Sequence, residues 1–236
     1  QGRMHPSIAE FTRKMFYARE SIQPVPLPHQ EEKNLYPPCV KEECDHNSPL
    51  DHLLINHRIV FIPSNFCRVT GISDKVNSSE AEITAQCLKR IFEYTQKVFK
   101  MTGLAQTQFD ASRTAGVIVP YRNQIAMIRK EIEKLHIPEL LNVSIDTVER
   151  YQGSQRDYII YSFTVQDLFQ LEFLTASCFK EDGLTIDRKL NVALTRARKQ
   201  TILTGNPQIL DYDPIFRKLI AYCQQQKGYY DTRATY

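Results

Sequence analysis

Gly116-Val117-Ile118-Val119-Pro120-Tyr121-Arg122-Asn123-Gln124-Ile125-Ala126-Met127-Ile128-Arg129-Lys130-Glu131-Ile132 changes its period halfway along. The first four residues form a continuous apolar run, the pattern of a strand covered on both faces. From Ile125 the large apolar residues return at Ile128, Ile132 and Leu135, which is the spacing of one helical face. A doubly covered strand that feeds an amphipathic helix predicts a βα unit of a parallel sheet.

The same alternation extends in both directions. Upstream, Ile59-Val60-Phe61-Ile62 is a short apolar run, and Ser79-Glu80-Ala81-Glu82 reads as a capping box opening a helix to about Lys100. Downstream, Val143 to Val148 and Tyr158 to Val165 are strand candidates. Leu190, Ala193, Leu194 and Ala197 are expected to line one helix, carrying Arg196 and Arg198, before the strand Thr201-Ile202-Leu203; a last helix follows Pro207. Before all of these, Pro6 opens a helix with Ile8, Phe11 and Met15 on one face, ending near Arg19. Residues 22 to 57 hold half of the prolines and four of the six histidines with little periodicity, so the expectation there is an irregular, peripheral connection or insertion. The domain reading is therefore 1–21 as an N-terminal helix, 22–57 as the connection, and 58–236 as one α/β lobe with a parallel sheet and helices on both faces. In such sheets ligands bind beyond the carboxyl ends of the strands, and the polar motifs are expected there.

Composition narrows the function classes. With 42% apolar and 24% charged residues, the 236-residue chain has the material for a single core. No apolar stretch is long enough for a membrane span and no signal peptide opens the chain, so an intracellular protein is expected, cytoplasmic or, in a eukaryote, nuclear. Thirty basic against 27 acidic residues neither require nor exclude a nucleic-acid partner. Six irregularly spaced cysteines suit a reducing compartment. Cys39, Cys44, His46 and His52 cluster, but without the paired spacing of structural zinc sites, and they read as a polar loop; no residue is assigned to a metal.

Three local sequences then occur in order: Gln1-Gly2-Arg3-Met4-His5-Pro6; Thr147-Val148-Glu149-Arg150-Tyr151-Gln152-Gly153-Ser154-Gln155-Arg156-Asp157; and Asn191-Val192-Ala193-Leu194-Thr195-Arg196-Ala197-Arg198. With Val119-Pro120-Tyr121-Arg122-Asn123-Gln124 and Gly205-Asn206-Pro207, they resemble superfamily 1B helicases, the group of the nonsense-mediated-decay RNA helicase and the replication helicase-nuclease. The resemblance covers nearly all of the chain outside residues 22 to 57 and is to the C-terminal RecA-like lobe, a P-loop NTPase fold that lacks its own P-loop.

That resemblance implies roles. Arg3 and Arg196 match the two arginines that sense phosphate; a guanidinium suits charge that builds on a transferred phosphoryl group. Read alone, Arg196 would be a helix charge paired with a neighbour. Gln152, Gly153 and Gln155 match a nucleotide-binding turn. Pro120, Tyr121, Thr147 and Val148 match positions near the nucleic-acid backbone, where a hydroxyl and a backbone amide can meet phosphate without reading sequence; Tyr121 reads equally as a half-buried core tyrosine. Asp157 reads as a brace for the turn, and Asp187, Arg188 and Lys189 as a helix start. Two positions depart from the family: Gly2 stands where decay-type members stack a tyrosine on adenine, and Gln155 where a glutamate accepts a ribose hydroxyl.

No glycine is followed by lysine and no Asp-Glu pair occurs, so the phosphate loop, the Mg2+ ligands and the catalytic base are expected on an upstream RecA-like lobe of the same polypeptide. A start at Gln1, inside a motif, suits a lobe excised from a longer chain. The implied function is the motor lobe of an ATP-dependent 5′-to-3′ helicase or translocase, with single-stranded DNA (or RNA) as partner and no ATPase activity by itself. The wording Arg150-Tyr151-Gln152-Gly153 leans towards DNA, in replication or repair. The alternative is a non-catalytic binding or scaffold module of the same fold.

Overall fold

A computed structural model describes residues 2, 4–20, 25, 27–44, 48–67, 75–151, 154–181 and 183–231. Strands β1 (Ile59–Pro63), β2 (Ala115–Val119), β3 (Ser144–Thr147), β4 (Arg156–Ser162) and β7 (Ala197–Gly205) form one sheet in the order β1-β7-β4-β2-β3. Every neighbouring pair is parallel. A separate antiparallel hairpin, β5 (Cys178–Glu181) and β6 (Leu184–Asp187), turns at Gly183, whose φ of 78° is costly for any other residue type.

The continuous apolar runs have the expected cause. On β2, Ile118 enters one core while Val117 and Val119 enter the other; on β4, Ile159 and Tyr161 face the first and Tyr158 and Ile160 the second. The first core is closed by α1 (Pro6–Phe16), α8 (Arg188–Leu194) and α10 (Pro214–Gln225). The second is closed by α5 (Ser78–Thr102) and α6 (Arg122–Glu133). The short α7 (Leu168–Thr175) follows β4, and α9 (Pro207–Leu210) follows β7. Among the described residues no helix is long and apolar enough to cross a membrane.

Three sequence expectations need correction. First, Ala197 does not extend the helix of Leu190, Ala193 and Leu194. That helix, α8, ends at Leu194, Arg196 lies in the following turn, and Ala197 and Arg198 open β7. The nine-residue β7 runs between β1 and β4; Ala197 pairs with Arg156 of β4, whose N–H donates to Arg196 O at 3.1 Å, and the β1 ladder joins from Thr201; this pairing overrides the 3.6-residue spacing. Second, the N-cap of α5 is Asn77, which accepts from Glu80 N–H at 3.0 Å, so the helix starts earlier than a Ser79 cap would allow. The Glu80 side chain is spent on β4 rather than on its own helix end.

Third, residues 22 to 57 are neither irregular nor peripheral where described. They contain α2 (Pro28–Glu31), α3 (Pro38–Cys44) and α4 (Pro49–Asn56), each opening on a proline whose missing N–H costs a first helical turn nothing. Leu35, Tyr36, Val40, Leu53, Leu54 and Ile55 are buried in the second core. Arg58 donates to the carbonyls of Glu32 (2.6 Å) and Asn34 (3.1 Å), and Gln200 Nε2 donates to those of Leu54 (2.8 Å) and His57 (2.6 Å). Helices of four to eight residues are too short to display a long apolar period, which is why their contribution to the core is invisible in the sequence.

Candidate functional sites at the two ends of the sheet

The polar motifs do not all collect at the carboxyl ends of the strands. Arg196 and Gln155 immediately precede β7 and β4 and so lie at the amino edge, whereas Pro120, Tyr121, Thr147 and Val148 follow or end β2 and β3 at the carboxyl edge. Seven residues of β4 separate the two edges, about 20 Å of extended chain.

At the amino edge the Arg196 residue is only 8% exposed. Its Nε donates to Val192 O at 3.0 Å, and its Nη1 and Nη2 make longer bonds to Ser154 O (3.4 Å) and Thr195 Oγ1 (3.3 Å). The guanidinium therefore links the end of α8 to the loop before β4. That loop is seated by Tyr151, whose hydroxyl donates to Ser144 O at 2.9 Å and whose ring lies 5.8 Å from the Arg156 guanidinium. Gly116 makes the seat possible: a Cβ there would stand 2.1 Å from the Tyr151 hydroxyl oxygen. Gln155 is half-buried and its carbonyl accepts from Arg156 Nη1 at 2.8 Å. Arg3, Gln152 and Gly153 lie outside the described residues. His5, two positions beyond Arg3, donates its backbone N–H to Arg198 O at 2.9 Å at the start of β7. Burial, reinforced by the Arg58 charge, pushes the His5 imidazole down to about 4, so it stays neutral and its Nδ1 accepts from Ser7 N–H as the N-cap of α1.

Arginine is abundant at this edge. Arg156 Nε is buried without a hydrogen-bond partner among the described residues, while Arg198 sits 3.6 Å from Asp157, which fits the bracing role read for that carboxylate. An edge rich in guanidinium donors suits the oxygens of a polyphosphate. Among the described residues no three histidine, cysteine, aspartate or glutamate side chains gather as a metal set.

At the carboxyl edge an open groove of about 570 Å³ is lined by Pro120, Tyr121 and Thr147, together with Lys75, Arg122, Arg150, Lys189 and Phe173. Four cations face one carboxylate, Glu149, across it. Lys189 approaches Glu149 at 3.6 Å and Arg150 approaches Asp146 at 3.9 Å, exposed contacts that solvent screens. Tyr121 is buried, stacked on Phe173 at 5.4 Å between centroids, which favours the core reading of its ring. Val148 buries its side chain in the first core, so only its backbone can face a strand, while Thr147 is partly exposed. Lys75 and Phe173 carry no signal in the sequence, and Arg122, Arg150 and Lys189 occur there in separate motifs, because charges scattered over residues 75 to 189 share a groove only after folding. Asp187 does start α8: its Oδ1 accepts from Leu190 N–H at 3.0 Å.

Behind the groove a buried network anchors the ends of β1 and β4. Glu80 accepts from Ser162 Oγ (2.7 Å), Thr164 N–H (2.8 Å) and Ser64 Oγ (3.1 Å). Burial nevertheless pushes its carboxyl up from the usual 4.5 to about 7, because three dipoles do not replace bulk hydration. Thr164 turns its N–H to Glu80 with a positive φ of 57°. Gln124 ties α6 to the same cluster through Asn77 N–H, Asn77 O and Ser162 Oγ.

A five-stranded parallel sheet flanked by helices, with arginines at one end and a basic groove at the other, has the architecture of a RecA-like lobe. The chain belongs to the AAA domain family that forms the C-terminal RecA-like lobe of superfamily 1B helicases, whose family model matches residues 1–208. It is similar to the putative helicase MOV-10 of Gallus gallus, 25% identical over 96% of this chain and 22% of that protein. The uncharacterized ATP-dependent helicase MJ0104 of Methanocaldococcus jannaschii is 28% identical over 95% of this chain and 28% of its own length. Regulator of nonsense transcripts 1 of Dictyostelium discoideum is 28% identical over 94% of this chain and 14% of its length. The chain thus spans between about a seventh and just over a quarter of these relatives.

Proposed function

We propose that this chain is the C-terminal motor lobe of an ATP-dependent 5′-to-3′ nucleic-acid helicase or translocase, working against an upstream RecA-like lobe of the same polypeptide. The observation that carries the reading is the placement of two chemistries at opposite ends of one sheet: guanidinium donors at the amino edge and a cationic groove with a threonine hydroxyl at the carboxyl edge. The similarity to the ATP-dependent helicase of Methanocaldococcus jannaschii supports ATP as the fuel.

In this reading bound ATP with Mg2+ supplies the transferable phosphoryl group, and the Mg2+ ligands come from the upstream lobe. Arg196 and Arg3 hold negative charge as it develops, without moving a proton. The Arg196 bonds to Ser154 O and Thr195 Oγ1 are long, at 3.4 and 3.3 Å, so exchanging them for phosphate oxygens costs little. Gln152, Gly153 and Gln155 approach the nucleotide from the turn, with Gln155 offering a neutral acceptor oxygen to a ribose hydroxyl. Pro120, Tyr121, Thr147 and the Val148 backbone form the wall along which a single strand passes, DNA or RNA, held by its phosphates.

The test is turnover in the polypeptide that joins this lobe to its upstream partner, with saturating single strand. Arg196→Ala should lower kcat by on the order of a thousandfold while ATP binding falls far less. Arg196→Lys should restore little, since a point charge does not reproduce the planar fork. The chain alone should hydrolyse no ATP above background. The scaffold reading has one observation in its favour, the burial of Arg196 against two backbone carbonyls, which would suit a purely structural brace. A folded Arg196→Ala protein with near-normal turnover would establish that reading instead.

A further inference from the structure

Helix α7 is apolar around most of its circumference. Leu171 and Leu174 are buried, yet Phe169 is 76% and Phe173 48% exposed. A helix this apolar is expected to be covered on all sides. Phe169 and Phe173 are four residues apart, so their rings share one face, one turn above the other. The lower ring lies on Tyr121 at 5.4 Å between centroids with planes 24° apart, and the Lys189 ammonium sits 4.9 Å from its centroid. Lys75 in turn stands 5.8 Å from the Tyr121 ring. The stacked pair of Tyr121 and Phe173 thus lies in the wall of the cationic groove, with Phe169 one helical turn away.

We propose that Phe173 and Phe169 form a stacking platform for unpaired nucleobases of a strand whose phosphates lie in the groove lined by Lys75, Arg122, Arg150 and Lys189. The inference rests on the reading of that groove as the strand site and adds a base-contacting surface to it. Three features select a nucleobase over a protein as the occupant. The Phe173 ring continues a stack begun by Tyr121, Phe169 stands one turn away on the same helix face, and flat rings offer every base a face without reading its edge. The groove beside them holds four cations against one carboxylate, complementary to a polyphosphate chain. Ammonium groups flank the rings, where they can also meet phosphate, whereas an apolar protein face would have to leave those charges without water. Tyr121 itself is buried, which makes it the floor of the platform, and the exposed rings its working surface.

The experiment is titration of the full 236-residue chain with a pyrimidine oligonucleotide carrying one 2-aminopurine, read by anisotropy and by the quenching that stacking produces, at several salt concentrations. Phe169→Ala and Phe173→Ala should each weaken binding by roughly ten- to a hundredfold and reduce the quench, with the salt dependence unchanged. Phe173→Trp should retain both. Arg122→Ala should instead lower the slope of log affinity against log salt by about one. Phe169 is largely exposed, so its substitution tests the proposal even if loss of Phe173 disturbs the fold. Weakened binding in Arg122→Ala with unaltered affinity and quench in both phenylalanine variants would overturn the platform and leave the groove standing. Absence of salt-dependent binding by the unsubstituted chain would overturn both. Self-association that disappears in the phenylalanine variants while strand affinity is unchanged would assign the patch to a protein interface and overturn the proposal.

Discussion

Glu80 provides the quantitative test of the buried network that joins β1, β4 and α5. Its carboxyl stands at about 7 in the folded chain against 4.5 when exposed, with burial as the main cause. The folded state therefore holds the proton more tightly than the unfolded state does. Its contribution to stability is fully present below pH 4.5, declines as pH rises, and is gone above pH 7. The difference of about 2.5 units corresponds to about 3 kcal/mol at 1.36 kcal/mol per unit. For a domain of this size that is a shift in Tm of roughly 6 to 12 °C. Glu80→Gln keeps a carbonyl acceptor for Ser162 Oγ or Thr164 N–H and removes the ionisation. Urea unfolding of both proteins from pH 4.5 to 8.5 should give curves that converge at the acid end and separate towards pH 8, with the wild type losing about 3 kcal/mol relative to the variant. Parallel curves across that range would mean that Glu80 ionises in the folded chain as it does in water, and the burial argument would fail.

Two further predictions concern packing. Gly116→Ala places a methyl group 2.1 Å from the Tyr151 hydroxyl oxygen and 3.0 Å from its Cζ, and should destabilise the chain by about 1–3 kcal/mol in urea melts; Tyr151→Phe in the same molecule should recover part of the loss, giving a favourable coupling in a double-mutant cycle. Leu54→Ala, at a residue 1% exposed in α4, should cost about 2–5 kcal/mol by the same assay, whereas a peripheral segment would tolerate it within about 0.5 kcal/mol.

The two ends of the sheet are joined through the core. β4 and β7 pair from Arg156–Ala197 to Ser162–Thr204 and are buried from Tyr158 and Gln200 onward, so a rigid element joins the amino edge to the Ser162–Thr164 corner. Glu80 and Gln124 fasten that corner to α5 and α6, the helices that close the second core. In the proposed reading, closure on a nucleotide at one end would move the groove wall at the other as a body.

What the sequence by itself determined is local. The run Gly116 to Val119 followed by Ile125, Ile128 and Ile132 specified a βα unit, since a strand covered on two faces and a helix covered on one have different apolar periods that no tertiary context needs to supply. The motifs around Gly153 and Arg196 likewise identified the family, because their residue types and order are properties of the chain. Pairing, by contrast, is decided in three dimensions. Ala197 continued a helical spacing in the sequence, yet became the first residue of a strand, because Arg156 of β4 is its ladder partner and His5 N–H bonds the next carbonyl, that of Arg198. Leu35, Val40 and Leu54 carried no readable period and enter the core in the folded chain, where Arg58 fixes the segment before α3 and Gln200 the end of α4. The groove of Lys75, Arg122, Arg150 and Lys189, with Phe173 beside it, gathers residues more than a hundred positions apart. Their proximity follows from parallel strand order, which places every β2, β3 and β4 carboxyl end on one side, and strand order is a property of the assembled sheet alone.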